Sequence, residues 1–400
     1  MGFVSFVLSD RTLKNEDNMA PERNSPYRKR FIKNYRRFFF DAWRISRFNP
    51  SMGSYWFRVL LRQLRMVRRR RAAESEGMMI PPVLVYSITG RCNLKCRGCY
   101  ASCRPGIEFR ELPVERIRTL FREASDAGVG IILIAGGEPL MRPEVLDAAG
   151  AQRDILFPVI TNGTLMNRTG TGYFRRYRNL VPVLSLEGNR QFTDHRRGEG
   201  IYARIEKCML ELQQSTQMFG ISVTLTRENF NEVIDPVWMH EQHARGCSLF
   251  FLVEYVPQTV EDMVLCLTTE QQEILKRRIR EFRRHLPALF LSLPGDEEQY
   301  GGCLAAGRGF LHIDAEGNLE PCPFAPYSDV NIRETGLLEA LKSRFMQTIR
   351  ESHHLLTEAR GGCTLWENRE WVRQQLVHQT SVQPPDHMPA GFAEEVTTET

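Results

Sequence analysis

No apolar run in the 400-residue sequence approaches the roughly 20 residues a helix needs to cross a bilayer, which excludes a polytopic helical membrane protein. Cysteine is scarce as well. Ten cysteines fall far short of the roughly 8–10% that marks a disulfide scaffold, so a covalently stapled secreted domain is excluded. The opening MGFVSFVLSDRTLKNED lacks a basic stretch followed by a long apolar one, so no secretory leader is expected and the chain is read as cytoplasmic. Internal repeats and low-complexity tracts are missing too. What remains is a globular composition, 42% hydrophobic and 25% charged, able to bury a sizeable core over two or three domains.

The net charge of +5 conceals an asymmetry. From Arg28 to Arg71 there are fifteen Lys and Arg against one acid, Asp41, so this segment carries +14 and the rest of the chain −9. Aromatic residues stud the same segment. In its second half Arg58, Arg62, Arg65 and Arg69 recur at helical spacing opposite Phe57, Leu60, Leu61, Leu64 and Val67, an amphipathic pattern. Three readings fit a basic aromatic helix: a helix packed on its own protein with a solvated basic face, one lying on an anionic membrane surface, or one meeting an acidic macromolecule. Nucleic acid is the least favoured of these partners. On the second reading the segment guides an anionic surface or substrate to the mouth of the domain that follows.

From Pro82 onward, short apolar strands alternate with longer helical patterns. Candidate strands run over 83–88, 131–135, 158–161, 181–186, 221–226 and 249–256, with amphipathic stretches such as 114–127, 202–217 and 268–285 between them. Such alternation predicts an α/β fold, a partial (β/α)6 TIM-like barrel whose chemistry sits at the C-terminal strand ends. The expected division is a loose segment over 1–26, the basic helical segment over 27–81, the barrel over 82–286 and a linker over 287–302. A small cysteine-containing α+β domain over 303–378 and a disordered tail over 379–400 complete it.

Directly after the first strand comes Cys92-Asn-Leu-Lys-Cys96-Arg-Gly-Cys99-Tyr100, three thiols spaced CxxxCxxC on one loop. Three thiolates so placed can wrap one metal centre. Structural zinc normally takes four ligands, whereas a cubane iron-sulfur cluster on three cysteines leaves one iron open to substrate. A partial zinc site or a set of buried thiols is the plainer alternative.

This CNLKCRGCY loop resembles the cluster motif of the radical S-adenosylmethionine (SAM) enzymes, and the resemblance spans about residues 82–285. Gly136-Gly137-Glu138-Pro139 after the second strand is similar to that family's GGEP turn, where backbone approaches the amino group of the methionine moiety. Thr161-Asn162-Gly163, Ser185-Leu186-Glu187-Gly188 and Arg196-Arg197-Gly198-Glu199-Gly200 are similar to its TNG, SxDG and RGxG elements, in the same order. Glu187 departs from the usual Asp. The resemblance implies a 4Fe-4S cluster on Cys92, Cys96 and Cys99 and a SAM site drawing on Tyr100, Gly136, Gly137, Glu138, Pro139, Asn162, Ser185, Glu187 and Arg197. It further implies reductive cleavage of SAM to methionine and a 5′-deoxyadenosyl radical that takes hydrogen from a substrate. A reductase, flavodoxin or ferredoxin is the expected electron donor.

Farther on, Cys303 and Cys322 bracket Gly317 around a hairpin pattern, which resembles the opening of the SPASM or twitch extension that binds an auxiliary cluster. The full SPASM cysteine set is absent here. With Cys363 as the remaining candidate, one second iron-sulfur cluster on Cys303, Cys322 and Cys363 is expected, its fourth position filled otherwise or left open. Cys103 is read as structural or near the cluster, and Cys208 and Cys266 as core thiols. His240, His243 and Cys247 miss HExxH by one residue, and Gly128-Val-Gly130 lacks the third glycine of a dinucleotide fingerprint. The runner-up to an enzyme is a non-enzymatic iron-sulfur sensor or zinc protein that kept the fold. The substrate class stays open among small molecule, lipid-like compound and peptide.

Overall fold

The computed structural model describes residues 50–101, 110–166, 168–215, 217–293, 302–352, 356 and 363–379. The expectations for residues 1–49, for Cys103 and for the tail beyond Gln379 lie outside the described residues. Nine strands form one sheet: β1 (Val83–Ser87), β2 (Ile131–Ala135), β3 (Phe157–Thr161), β4 (Leu180–Ser185), β5 (Phe219–Leu225), β6 (Cys247–Glu254), β7 (Leu289–Leu293), β8 (Phe310–Ile313) and β9 (Leu319–Glu320). Their order is β7-β6-β5-β4-β3-β2-β1-β8-β9, and β1 to β7 pair consecutively in parallel. This is the curled, parallel-dominated half-barrel that alternating strands and helices call for, and each candidate strand falls within two residues of its observed limits.

Two features extend it. Residues 289–293, expected inside a linker, form β7 in register with β6, because Leu289 and Phe290 bury their side chains and Phe290 stacks on Phe250 at 4.8 Å. The C-terminal hairpin is continuous with the barrel sheet: β8 pairs parallel with β1 and antiparallel with β9. The Asp314 carboxylate closes its turn by accepting from the backbone N–H groups of Glu316, Gly317 and Asn318.

Strand alternation sorts side chains to two faces. Leu84, Tyr86 and Ile88 pack with Ile132, Ile134 and the helix α2 (Val114–Ala127), where the Tyr86 ring meets Phe121 edge-on at 6.3 Å. Burying each such side chain is worth about 1.5–3 kcal/mol. On the concave face Val181, Val183, Leu249, Phe251 and Leu289 cluster with Val59 of α1 (Pro50–Ser75).

The docking of α1 departs from the amphipathic reading. Its buried face is Val59, Gln63, Met66 and Arg70, whereas Phe57, Leu61 and Leu64 are 53%, 49% and 38% exposed. Polar side chains make this possible, since Gln63 Nε2 donates to the Gly130 carbonyl at 2.8 Å and Arg70 donates to the Gly128 carbonyl at 2.5 Å. Gly128 ends α2 in the left-handed region at φ +94°, and a Cβ there would lie 2.6 Å from the Met66 carbonyl oxygen. The Gly-Val-Gly stretch is thus a landing for α1. These contacts precede β2, so α1 sits at the N-terminal strand ends, opposite the barrel mouth to which it was expected to guide a surface or substrate.

Candidate active site at the C-terminal strand ends

The cysteine loop leaves β1 and is held from three sides. Gly137 donates its N–H to the Thr89 carbonyl at 2.7 Å, and Glu138 donates to the Arg91 carbonyl at 2.9 Å. A Cβ on Gly137 would stand 2.0 Å from the Arg91 carbonyl oxygen, and one on Gly136, at φ +121°, 2.4 Å from that of Thr89. The paired glycines are therefore required by the loop itself, which packs backbone to backbone on the turn. Pro139 then starts a short 3-10 turn.

Glu138 is fully buried and ties β2 to β3. Its carboxylate accepts from Thr161 Oγ1 at 2.7 Å, Asn162 N at 2.8 Å and Leu140 N at 3.0 Å. Burial pushes its pKa up, and these three donors oppose the rise. Asn162 also reaches the cysteine loop, with Nδ2 donating to Asn93 Oδ1 at 2.9 Å and standing 3.9 Å from Cys92 Sγ.

The third hold comes from α5 (Arg190–Arg197), one of a series with α3 (Pro143–Ala151) and α4 (Arg168–Arg176). Glu187, 1% exposed, accepts from Arg196 at 2.6 Å and from Arg197 at 2.9 and 2.5 Å on one oxygen, and from Thr224 N at 3.2 Å on the other. Arg196 in turn donates to the carbonyls of Arg97 and Gly98 at 3.2 and 3.4 Å, and Arg97 N donates back to the Arg196 carbonyl at 2.9 Å. Arg196 escaped the sequence reading as a site residue; the doubled Arg was the signal, since only one can face the loop while both share a carboxylate. Ser185, 6% exposed, ends β4 beside Ser222.

Burial raises the Cys92 and Cys96 thiols above their ordinary range, with the neighbouring thiols adding to the rise. Arg197 and Arg196 pull Cys96 the other way. Three thiols and two guanidiniums at one strand edge suit a centre of net negative charge, so the donor set fits a thiolate-held cluster. Among the described residues no group of three or more His, Cys, Asp or Glu side chains stands together as a metal cage. Tyr100 lies edge-on to Phe324 with centroids 5.5 Å apart, which brings the end of the cysteine loop against the segment following Cys322.

Cys303 and Cys322 are both buried, and Ala306 N donates to the Pro321 carbonyl at 3.1 Å, joining their two loops. Cys363 is half-buried at the head of the helical turn Thr364–Glu367. Between the two cysteine regions runs a buried chain: Ser87 Oγ lies 2.8 Å from His312 Nε2, and His312 Nδ1 lies 2.6 Å from Glu320 Oε2. No motif announced it, since Ser87 and His312 are 225 residues apart. Cys208 and Cys266 are core thiols, burial lifting Cys208 to about 11. His243 Nδ1 is within 2.9 Å of the Cys247 carbonyl oxygen.

Comparison with known proteins agrees with this geometry. The Radical SAM superfamily matches residues 86–235. A probable GTP 3′,8-cyclase of Methanothermobacter marburgensis is 40% identical over 293 residues, covering 67% of this chain and 93% of that protein. An AdoMet-dependent heme synthase of Methanosarcina barkeri is 25% identical over 280 residues, covering 64% and 80%. The crystal structure of Streptococcus suis SuiB bound to S-adenosylmethionine superposes with a TM-score of 0.57 at 20% identity over 66% of each chain, which shows a shared fold. With a cysteine loop, a Gly-Gly-Glu-Pro turn and an Arg-Arg clamp gathered at one sheet edge, and with these relatives, the chain belongs to the radical SAM superfamily of enzymes.

Proposed function

We propose that this enzyme cleaves SAM reductively at a 4Fe-4S cluster held by Cys92, Cys96 and Cys99 and takes hydrogen from a substrate lodged on the concave face of the barrel. When bound, the cluster supplies the electron for that cleavage. The observation that carries the reading is the backbone-to-backbone seating of Gly136 and Gly137 on the cysteine loop, which keeps the loop and the cofactor turn in one fixed relation.

The chain's own residues then act as positioners. Gly136, Gly137 and Glu138 offer backbone at the end of β2 to the methionine moiety, Asn162 and Ser185 line the edge, and Tyr100 is the adenine contact. Arg196 and Arg197 share the single carboxylate of Glu187 and so leave one net positive charge beside the loop. Ser87, fixed through His312 to Glu320, offers a polar group inside the barrel. The His312 ring bridges the two, with Nε2 at 2.8 Å from the Ser87 hydroxyl and Nδ1 at 2.6 Å from the Glu320 carboxylate, which fixes where that hydroxyl sits.

A second iron-sulfur cluster on Cys303, Cys322 and Cys363 is supported by the joining of the first two cysteine loops through Ala306 and Pro321. A flavodoxin, ferredoxin or reductase would serve as electron donor at the exposed side of the cysteine loop. Anaerobic incubation with dithionite and SAM tests the function: 5′-deoxyadenosine forms if the reading holds and does not form if the protein is a sensor. Iron content tests the second cluster. About eight irons per chain are expected for two four-iron clusters, falling to about half when Cys303, Cys322 and Cys363 are all replaced by Ala. Unchanged iron in that variant contradicts it.

A further inference from the structure

We propose that the outward face of α1 seats the protein on an anionic phospholipid surface. The inference rests on which face of α1 the fold uses. Val59, Gln63, Met66 and Arg70 are consumed in docking to the N-terminal strand ends, which leaves Phe57, Leu61 and Leu64 on the opposite side as a stripe at four- and three-residue spacing. Arg68 continues this stripe one turn on, with Arg58 and Arg65 along one flank and Arg71 along the other.

Charge selects the occupant. Arg65 and Arg69 meet Asp154 and Asp126 at 3.6 and 3.8 Å, both at the outer limit of an ion pair. Arg58, Arg62, Arg68 and Arg71 make no ion pair among the described residues, so the competing idea that the arginines are neutralised by the protein's own acidic body accounts for only part of them. A second copy of the helix would set arginine against arginine. An interface that takes half-exposed Phe and Leu into its acyl boundary while phosphates meet flanking guanidiniums satisfies both features at once. The remaining helix is not apolar enough to span: no described helix is long and apolar enough to cross a membrane. Because α1 lies at the strand ends opposite the cysteine loop, the seat leaves the site open to water.

Sedimentation of the full-length protein with vesicles tests this. It should pellet with vesicles containing phosphatidylglycerol at low ionic strength and stay in solution with phosphatidylcholine alone. The double variant Leu61→Glu/Leu64→Glu, whose positions face solvent and leave the docked face intact, should lose about fivefold or more of its bound fraction. Val237→Glu, at a 66% exposed residue elsewhere, should bind like the wild type. Wild-type protein that ignores phosphatidylglycerol, that pellets equally with phosphatidylcholine, or that binds no better than the Leu61→Glu/Leu64→Glu variant overturns the proposal. Circular dichroism identical to wild type separates loss of the seat from loss of the fold.

Discussion

Replacing Glu187 by Gln keeps the shape of the side chain and removes the charge that two arginines share. The site is 1% exposed, and both guanidiniums are mostly buried, so the change leaves two cations without their counter-ion in a poorly solvated place. Breaking one partner of such a buried arrangement costs about 3–5 kcal/mol. The glutamine oxygen still accepts one donor, and Arg196 keeps Thr224 and two loop carbonyls, so the lower end applies, about 3 kcal/mol. At roughly 2–4 °C per kcal/mol for a barrel of this size, the melting temperature of iron-free protein should fall by about 6–12 °C. Glu187→Asp, the residue type usual in the resembling family, is too short to reach both arginines and Thr224 N together, and should fall between. A double-mutant cycle with Arg197→Gln should return a coupling of about 1.5 kcal/mol or more. A carboxylate that served only to hold the cofactor would weaken SAM binding and leave the ligand-free protein unmoved. A Glu187→Gln variant melting within about 1 °C of wild type would therefore refute the clamp.

Other outcomes follow from the same contacts. Gly137→Ala places a methyl group 2.0 Å from a backbone oxygen that no rotamer can move, so iron uptake by the cysteine loop should fall severely while circular dichroism stays near wild type; iron analysis after anaerobic reconstitution reads this directly. Gly128→Ala meets both a left-handed backbone and the Met66 carbonyl, and should loosen α1, seen as faster hydrogen exchange over residues 57–75 with the strands still protected.

The barrel was legible because its strands are short apolar runs bounded by helical periodicity, and the cysteine loop because ligands crowd into eight residues. What escaped the sequence has a common physical cause, polar atoms satisfied at long range. A count of apolar positions in α1 selects Leu61 and Leu64 for burial, yet Gln63 and Arg70 are taken inward by the carbonyls of Gly130 and Gly128, which no periodicity registers. The pairing of β8 with β1 and the chain from Ser87 through His312 to Glu320 join residues more than two hundred positions apart. The segment forming β7 sits between Pro287 and Pro294 and reads as a linker until β6 supplies its partner. Arg196 resembled its neighbour too closely for sequence to say which would hold the loop and which would only share the charge.

The most direct test is a comparison of 5′-deoxyadenosine formation by the wild type and by the Cys92→Ala/Cys96→Ala/Cys99→Ala variant, both reconstituted anaerobically and given dithionite and SAM. The wild type should yield 5′-deoxyadenosine and methionine, and the variant none, while its C-terminal cysteines still retain iron. Undiminished formation in the variant would contradict the assignment of these three thiols as the cluster that cleaves SAM.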